Sequence, residues 1–70
     1  MKSISVEFGI NVKNRRLELG MSQQKLAEEC DFDRGTIVLI EKGQSNSTLN
    51  TISTLADVLD VHPSDLLKTD

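Results

Sequence analysis

Residues 22–43 read SQQKLAEECDFDRGTIVLIEKG. Ser22 is an N-cap residue type, and after it Leu26, Ala27 and Cys30 recur at the spacing of one helical face, so Gln23 to Cys30 form a helix. Asp31 tolerates the left-handed backbone of a tight turn. Asp33 is a second N-cap, opening a helix from Arg34 to Lys42 that Gly43 ends. Only Asp31, Phe32 and Asp33 separate the two helices, so they cross steeply. Small Ala27 lets the second approach the first, and Phe32, Ile37 and Ile40 supply the apolar seam between them.

The flanks read as helix too. On the N-terminal side, Phe8, Val12 and Leu19 share a face from about Ser5 to Leu19, and Gly20 stops the run. On the C-terminal side, Thr48 or Ser47 caps a helix from Leu49 to Leu59 whose stripe is Ile52, Leu55, Ala56 and Leu59. Pro63 suits a first helical turn and opens a short helix through Leu67. No alternating apolar–polar run is bounded by hairpin dipeptides, so strands are not expected. The expectation is an all-α, compact five-helix bundle, a single domain over 1–70 with helices at about 5–19, 23–30, 34–42, 49–59 and 63–67.

Composition narrows the function classes. The chain has 70 residues, 37% hydrophobic and 27% charged, which is the make-up of a small globular domain. No apolar run approaches the roughly 20 residues of a membrane span, and the N-terminus lacks the apolar stretch of a signal peptide. One Cys precludes an internal disulfide and fits a reducing, cytoplasmic setting. One His and one Cys preclude a zinc site made of those residues alone, and no cofactor or small-molecule ligand is evident. The net charge of −3 argues against nucleic acid by itself, but it is unevenly spread. Lys13, Arg15 and Arg16 cluster early, whereas Asp57, Asp60, Asp65 and Asp70 gather late.

Two short helices joined by so tight a turn have helix-turn-helix geometry, which can lay its second helix in a major groove. The chain resembles the lambdoid-phage-repressor type of helix-turn-helix, also called the xenobiotic-response-element family. The resemblance runs through Leu19-Gly20-Met21-Ser22-Gln23-Gln24-Lys25-Leu26-Ala27, Asp33-Arg34-Gly35-Thr36-Ile37 and Ile40-Glu41-Lys42-Gly43. It continues through Asn46 to Ile52, Leu55-Ala56, Leu59-Asp60-Val61 and Pro63-Ser64-Asp65-Leu66, so it covers about residues 6–68. It implies a DNA-binding transcription regulator, dimeric, on a palindromic operator in double-stranded DNA. Stand-alone members of this length include phage repressors and the controller proteins of restriction–modification systems.

At about 100° per residue, Arg34, Gly35, Val38, Leu39 and Lys42 fall on one arc of roughly 140°, opposite Ile37 and Ile40. Arg34 is the best base reader, because a guanidinium grips two guanine acceptors in the major groove. Val38 and Leu39 can make only apolar contact, as with thymine methyls, or else form a patch for a protein partner. Gly35 offers close approach without information, and Thr36 sits at the margin, within reach of a base or a phosphate. Many family members carry polar residues where this chain has Gly35, Val38 and Leu39. That departure keeps open an alternative, a protein-interaction adaptor of the same fold with an antitoxin-like or antirepressor-like role.

Ser22 and Gln23 stand at a helix N-terminus, where free N–H groups attract an anion. The resemblance gives Gln23 a phosphate, the alternative being an ordinary surface residue. It also lays the loop of Lys42, Gln44, Ser45 and Asn46 along the backbone, although Lys42 equally suits the dipole at its helix end. It makes Arg16 and Glu41 a buried ion pair that orients the first helix against the third, with Arg16 also able to reach a phosphate. Lys13 and Arg15 are expected to be solvated. Ile52, Leu55, Val58, Leu59, Val61, Leu66 and Leu67 lie within 16 residues. Either they complete one core, or Val58, Val61, Leu66 and Leu67 meet a second copy, setting two third helices roughly 34 Å apart.

Three chemical candidates are set aside. Cys30 lies on an inner face with nothing beside it to activate a thiol. His62 either caps the last helix or faces solvent. Asp57, Asp60 and Asp65 lack calcium-loop spacing. No nucleophile–base pair or phosphate-cradling glycine loop is present, so the chain does not read as an enzyme.

Overall fold

The structure, a computed structural model, describes residues 3–69. Its elements are α1 (Ile4–Glu18), α2 (Gln23–Cys30), α3 (Arg34–Glu41), α4 (Leu49–Leu59) and α5 (Pro63–Leu66), with no strand among the described residues. The all-α five-helix expectation holds. Three spans shift by one residue: α1 starts and stops one earlier, and α3 and α5 each end one earlier, with Leu19, Lys42 and Leu67 at their C-caps.

One local device ends the first four helices. A residue with positive φ follows each: Gly20 (70°), Asp31 (58°), Gly43 (74°) and Asp60 (57°). Beyond it, an amide reaches back five residues: Met21 N–H to Arg16 O (3.0 Å), Phe32 to Ala27 (2.8 Å), Gln44 to Leu39 (3.0 Å) and Val61 to Ala56 (3.0 Å). These are Schellman closures, which satisfy orphan carbonyls and favour an apolar residue just past the turn. Met21, Phe32 and Val61 fill that place and pack on the core. The starts are capped where expected in two cases: Ser22 Oγ accepts from Lys25 N–H (3.0 Å), and Thr48 Oγ1 from Thr51 N–H (3.1 Å). Asp33 occupies the N-cap of α3 without a side-chain hydrogen bond. His62 is the N-cap of α5, its own amide donating to Asp65 Oδ2 (3.1 Å).

The core gathers Phe8 and Val12 of α1, Leu26, Ala27 and Cys30 of α2, Ile37 and Ile40 of α3, and Leu55, Ala56 and Leu59 of α4. Leu19 does not join them; it lies past the end of α1 and is 41% exposed. Helix α1 runs against α3, α4 and α5, whereas α3 packs chiefly on α1 and α2. The α4–α5 end is therefore remote from the outer side of α3. Arg15 is not simply solvated: its Nε donates to the Leu59 carbonyl (2.8 Å), satisfying the C-terminus of α4. Asn11 does the same for the end of α5, donating from Nδ2 to the carbonyls of Leu66 and Lys68 (2.9 Å each).

Candidate nucleic-acid interface

Burial divides α3 as the helical wheel requires. Ile37 and Ile40 are buried, Arg34, Gly35, Leu39 and Lys42 are exposed, and Thr36 and Val38 are half-buried. Leu39 is 47% exposed. A Cβ built on Gly35 would meet nothing within 4 Å. Among the described residues, neither Arg34 nor Lys42 enters an ion pair. The outer face thus presents two uncommitted cations around an aliphatic and glycine centre.

Two contacts fix how α3 stands. The first is Arg16 on Glu41: Nε to Oε2 at 2.7 Å and Nη2 to Oε1 at 3.0 Å, with side chains 8% and 4% exposed. Arg16 Nη1 also donates to the Met21 carbonyl at 2.7 Å. Every nitrogen of this guanidinium is engaged and the residue is buried, so Arg16 serves the ion pair and is not placed to meet a phosphate. The second contact was missed in the sequence. Gly9 of α1 lies against the last turn of α3, where a Cβ would run into the Ile40 carbonyl oxygen and stand 3.2 Å from the Glu41 carbonyl carbon. A glycine inside a helical pattern was the available signal.

Gln23 is more than an ordinary surface residue. Its Nε2 donates to Glu41 Oε1 at 3.2 Å, linking the N-terminus of α2 to the end of α3. The carboxamide oxygen and the first amides of α2, which have no helical acceptor, remain beside it. Of the loop after α3, Gln44 and Asn46 are exposed, as a backbone-facing segment would need. Ser45 is half-buried and lines a cleft of about 180 Å³ with Ile4, Phe8, Ser47, Ile52 and Leu67.

At the other end, Leu66 is 2% exposed inside its own bundle and has no surface left for a second copy. Val58, Val61 and Leu67 are half-buried against the same core. Among the described residues the most exposed large apolar side chain is Leu49, 83% exposed at the start of α4, one turn from Ile52 of the cleft. Sequence pattern could not single it out, because it falls beside the α4 stripe.

Cys30 is buried and free. Burial, with the Glu29 carboxylate adding to it, pushes its thiol up from 9.0 to about 11, so it stays protonated and inert near neutrality. A hydrogen bond from Lys68, then one from the His62 amide, holds the Asp65 carboxyl below its ordinary value. Among the described residues no His, Cys, Asp and Glu gather as metal ligands, and no helix is long and apolar enough to cross a membrane.

The helix-turn-helix family HTH_3 matches residues 12–66. Control protein C.BamHI of Bacillus amyloliquefaciens is 44% identical over 66 residues, 93% of this chain and 82% of that protein. The restriction–modification controller protein C.AhdI of Aeromonas hydrophila superposes with a TM-score of 0.85 at 37% identity, over 89% of this chain and 94% of that one. A hypothetical transcription factor of Neisseria, NHTF, does so with a TM-score of 0.91 at 29% identity, over 94% and 76%. The crossing of α2 and α3, its exposed face and these similarities lead to one conclusion: the chain belongs to the helix-turn-helix family of transcription regulators.

Proposed function

We propose that the chain is a sequence-specific regulator that acts in the cytoplasm, binding a palindromic operator as a homodimer with α3 in the major groove, and that it performs no catalysis. The observation that carries this is the outer face of α3. Arg34 and Lys42 stand there without partners while Arg16, Glu41 and Gly9 lock the helix beneath it. Arg34 reads a guanine, with Val38, Leu39, Gly35 and Thr36 beside it. Ser22, Gln23, Lys42, Gln44 and Asn46 hold phosphates and set the register. Ser45 supports that loop from within the cleft.

A second copy joins at the α4–α5 end, remote from α3, keeping the acidic residues off the duplex. Leu49, Leu67, Val58 and Val61 form the contact. The similarity to control proteins favours a controller role within a restriction–modification system. The exposed aliphatic Leu39 also favours a second reading, in which this face docks a protein.

Selection from random duplex DNA, followed by titration across salt, decides between them. The regulator yields a preferred sequence, and log affinity falls by about 0.9 per phosphate contacted as log salt rises. Arg34→Ala then costs about 1–3 kcal/mol at one base pair only. A loss spread equally over all sequences would make Arg34 a phosphate ligand, and no preferred sequence at any salt would point to the adaptor.

A further inference from the structure

Gln23 is the first residue of α2 and Glu41 the last of α3, and a hydrogen bond of 3.2 Å runs from Gln23 Nε2 to Glu41 Oε1. A primary carboxamide carries two N–H donors on one nitrogen. The bond to Glu41 uses one of them, and among the described residues the other has no acceptor. Glu41 is itself immobile: its side chain is 4% exposed and Arg16 grips both its oxygens, at 2.7 and 3.0 Å. Gln23 is half-buried above this fixed group, so its carboxamide is oriented from beneath. The neighbouring Gln24 shows the contrast: it is exposed and reaches only Glu28 of its own helix, at 3.3 Å.

A carboxylate beside a DNA backbone is adverse, because both are anions. Here the bidentate guanidinium of Arg16 cancels that charge, so Glu41 offers Gln23 an acceptor as part of a neutral pair. We infer that Glu41 is a positioning residue for DNA: it holds one N–H of Gln23 so that the second N–H donates to a phosphodiester oxygen. This rests on the DNA-binding reading and gives the buried pair a task beyond orienting α3. A glutamine free in solvent must lose its rotamers when it meets a phosphate, whereas Gln23 is ordered beforehand, a difference of about two- to tenfold in affinity. One carboxylate then fixes both the lie of α3 and the backbone contact that sets its register.

The test uses the full chain and a duplex recovered by selection from random DNA. Each phosphate of one half-site is replaced singly by an uncharged methylphosphonate, and binding is followed by fluorescence anisotropy at fixed salt. The phosphate whose replacement weakens the parent protein but weakens Gln23→Ala no further is the one Gln23 holds. In Glu41→Asp, whose shorter carboxylate meets Arg16 but falls short of Gln23, affinity drops about two- to tenfold and the penalty at that phosphate shrinks below about twofold. The guanine preference and the penalties at other phosphates persist. A merely structural role would weaken every duplex by one common factor and leave that penalty in place. Nuclear magnetic resonance of the parent needs no Glu41 variant: one Gln23 side-chain amide proton lies downfield in the free protein, and the other shifts only when duplex is added. A penalty unchanged in folded Glu41→Asp, or a Gln23 amide at free-amide shifts, would overturn the inference. No phosphate answering to Gln23→Ala, on DNA that still shows a preferred sequence, would overturn it and leave the DNA-binding reading intact. Failure to select any sequence would remove both.

Discussion

Replacing Glu41 by Ala strips the carboxylate from a guanidinium that has almost no water. Arg16 is 8% exposed in its side chain and makes two hydrogen bonds, at 2.7 and 3.0 Å, to Glu41. In Glu41→Ala the Met21 carbonyl at 2.7 Å remains its one strong acceptor. Removing one member of a buried pair costs about 3–5 kcal/mol, because the other charge stays buried and uncompensated. A domain of 70 residues has about 4–10 kcal/mol of stability to lose, at roughly 0.05–0.15 kcal/mol per residue. The variant should therefore melt at least about 12 °C lower, taking about 4–8 °C per kcal/mol for a domain of this size. Gln23 also loses its acceptor, which adds to the cost. Replacing Arg16 and Glu41 together by Met restores most of the loss, since the uncompensated charge is gone. As a control, Glu29→Ala removes the exposed Lys25–Glu29 pair at 3.4 Å and should cost under about 1 kcal/mol. Urea titration followed at 222 nm measures all four proteins. A Glu41→Ala penalty no greater than that of Glu29→Ala would refute the claim that this pair orients α3 from a water-poor site.

Gly9→Ala drives a methyl into the backbone of Ile40 and Glu41, so α1 and α3 must part; we expect a loss of about 1–3 kcal/mol, read from the urea midpoint. Gly35→Ala, with open space at its Cβ, should instead leave the midpoint unchanged or raise it by up to about 1 kcal/mol. Leu49→Asp places a charge where the homodimer is proposed to close; sedimentation equilibrium should find a monomer of normal helicity, and a persisting dimer would move the interface elsewhere. Cys30 is protonated in the fold up to about 11, against 9.0 when unfolded, so the native state holds the proton more tightly and stability falls as pH rises through that window. Melting temperature should drop between about pH 9 and 11 in the parent but less in Cys30→Ala, and a thiol reagent should react at pH 8 only as fast as the chain opens.

What the sequence disclosed and what it withheld follow the range of the forces involved. The α2–α3 unit was legible because its determinants are local: a cap at Ser22, a left-handed stop at Asp31, and apolar residues at helical spacing. The ion pair of Arg16 and Glu41 came through resemblance alone, since 25 residues separate them and nothing local couples them. Spacing placed Leu19 with Val12, but the helix ends first and the side chain turns to solvent. Of the adjacent Leu66 and Leu67, which one points inward depends on how α5 lies on α1, which Asn11 fixes from 55 residues away. Arg15 was misjudged for the same reason: its partner, the end of α4, exists only once the chain has packed.

Helix α3 has eight residues, about 12 Å of rod, cut short by the closure at Gly43. A rod of that length spans about four base steps, and only its Arg34 end carries a side chain able to name a base outright. So small a vocabulary recurs throughout any genome, and no refinement of a single protomer could make it unique. In the homodimer proposed above, selectivity comes from reading the same short word twice at a fixed interval, which makes the distance between two copies as much a part of the code as the bases themselves.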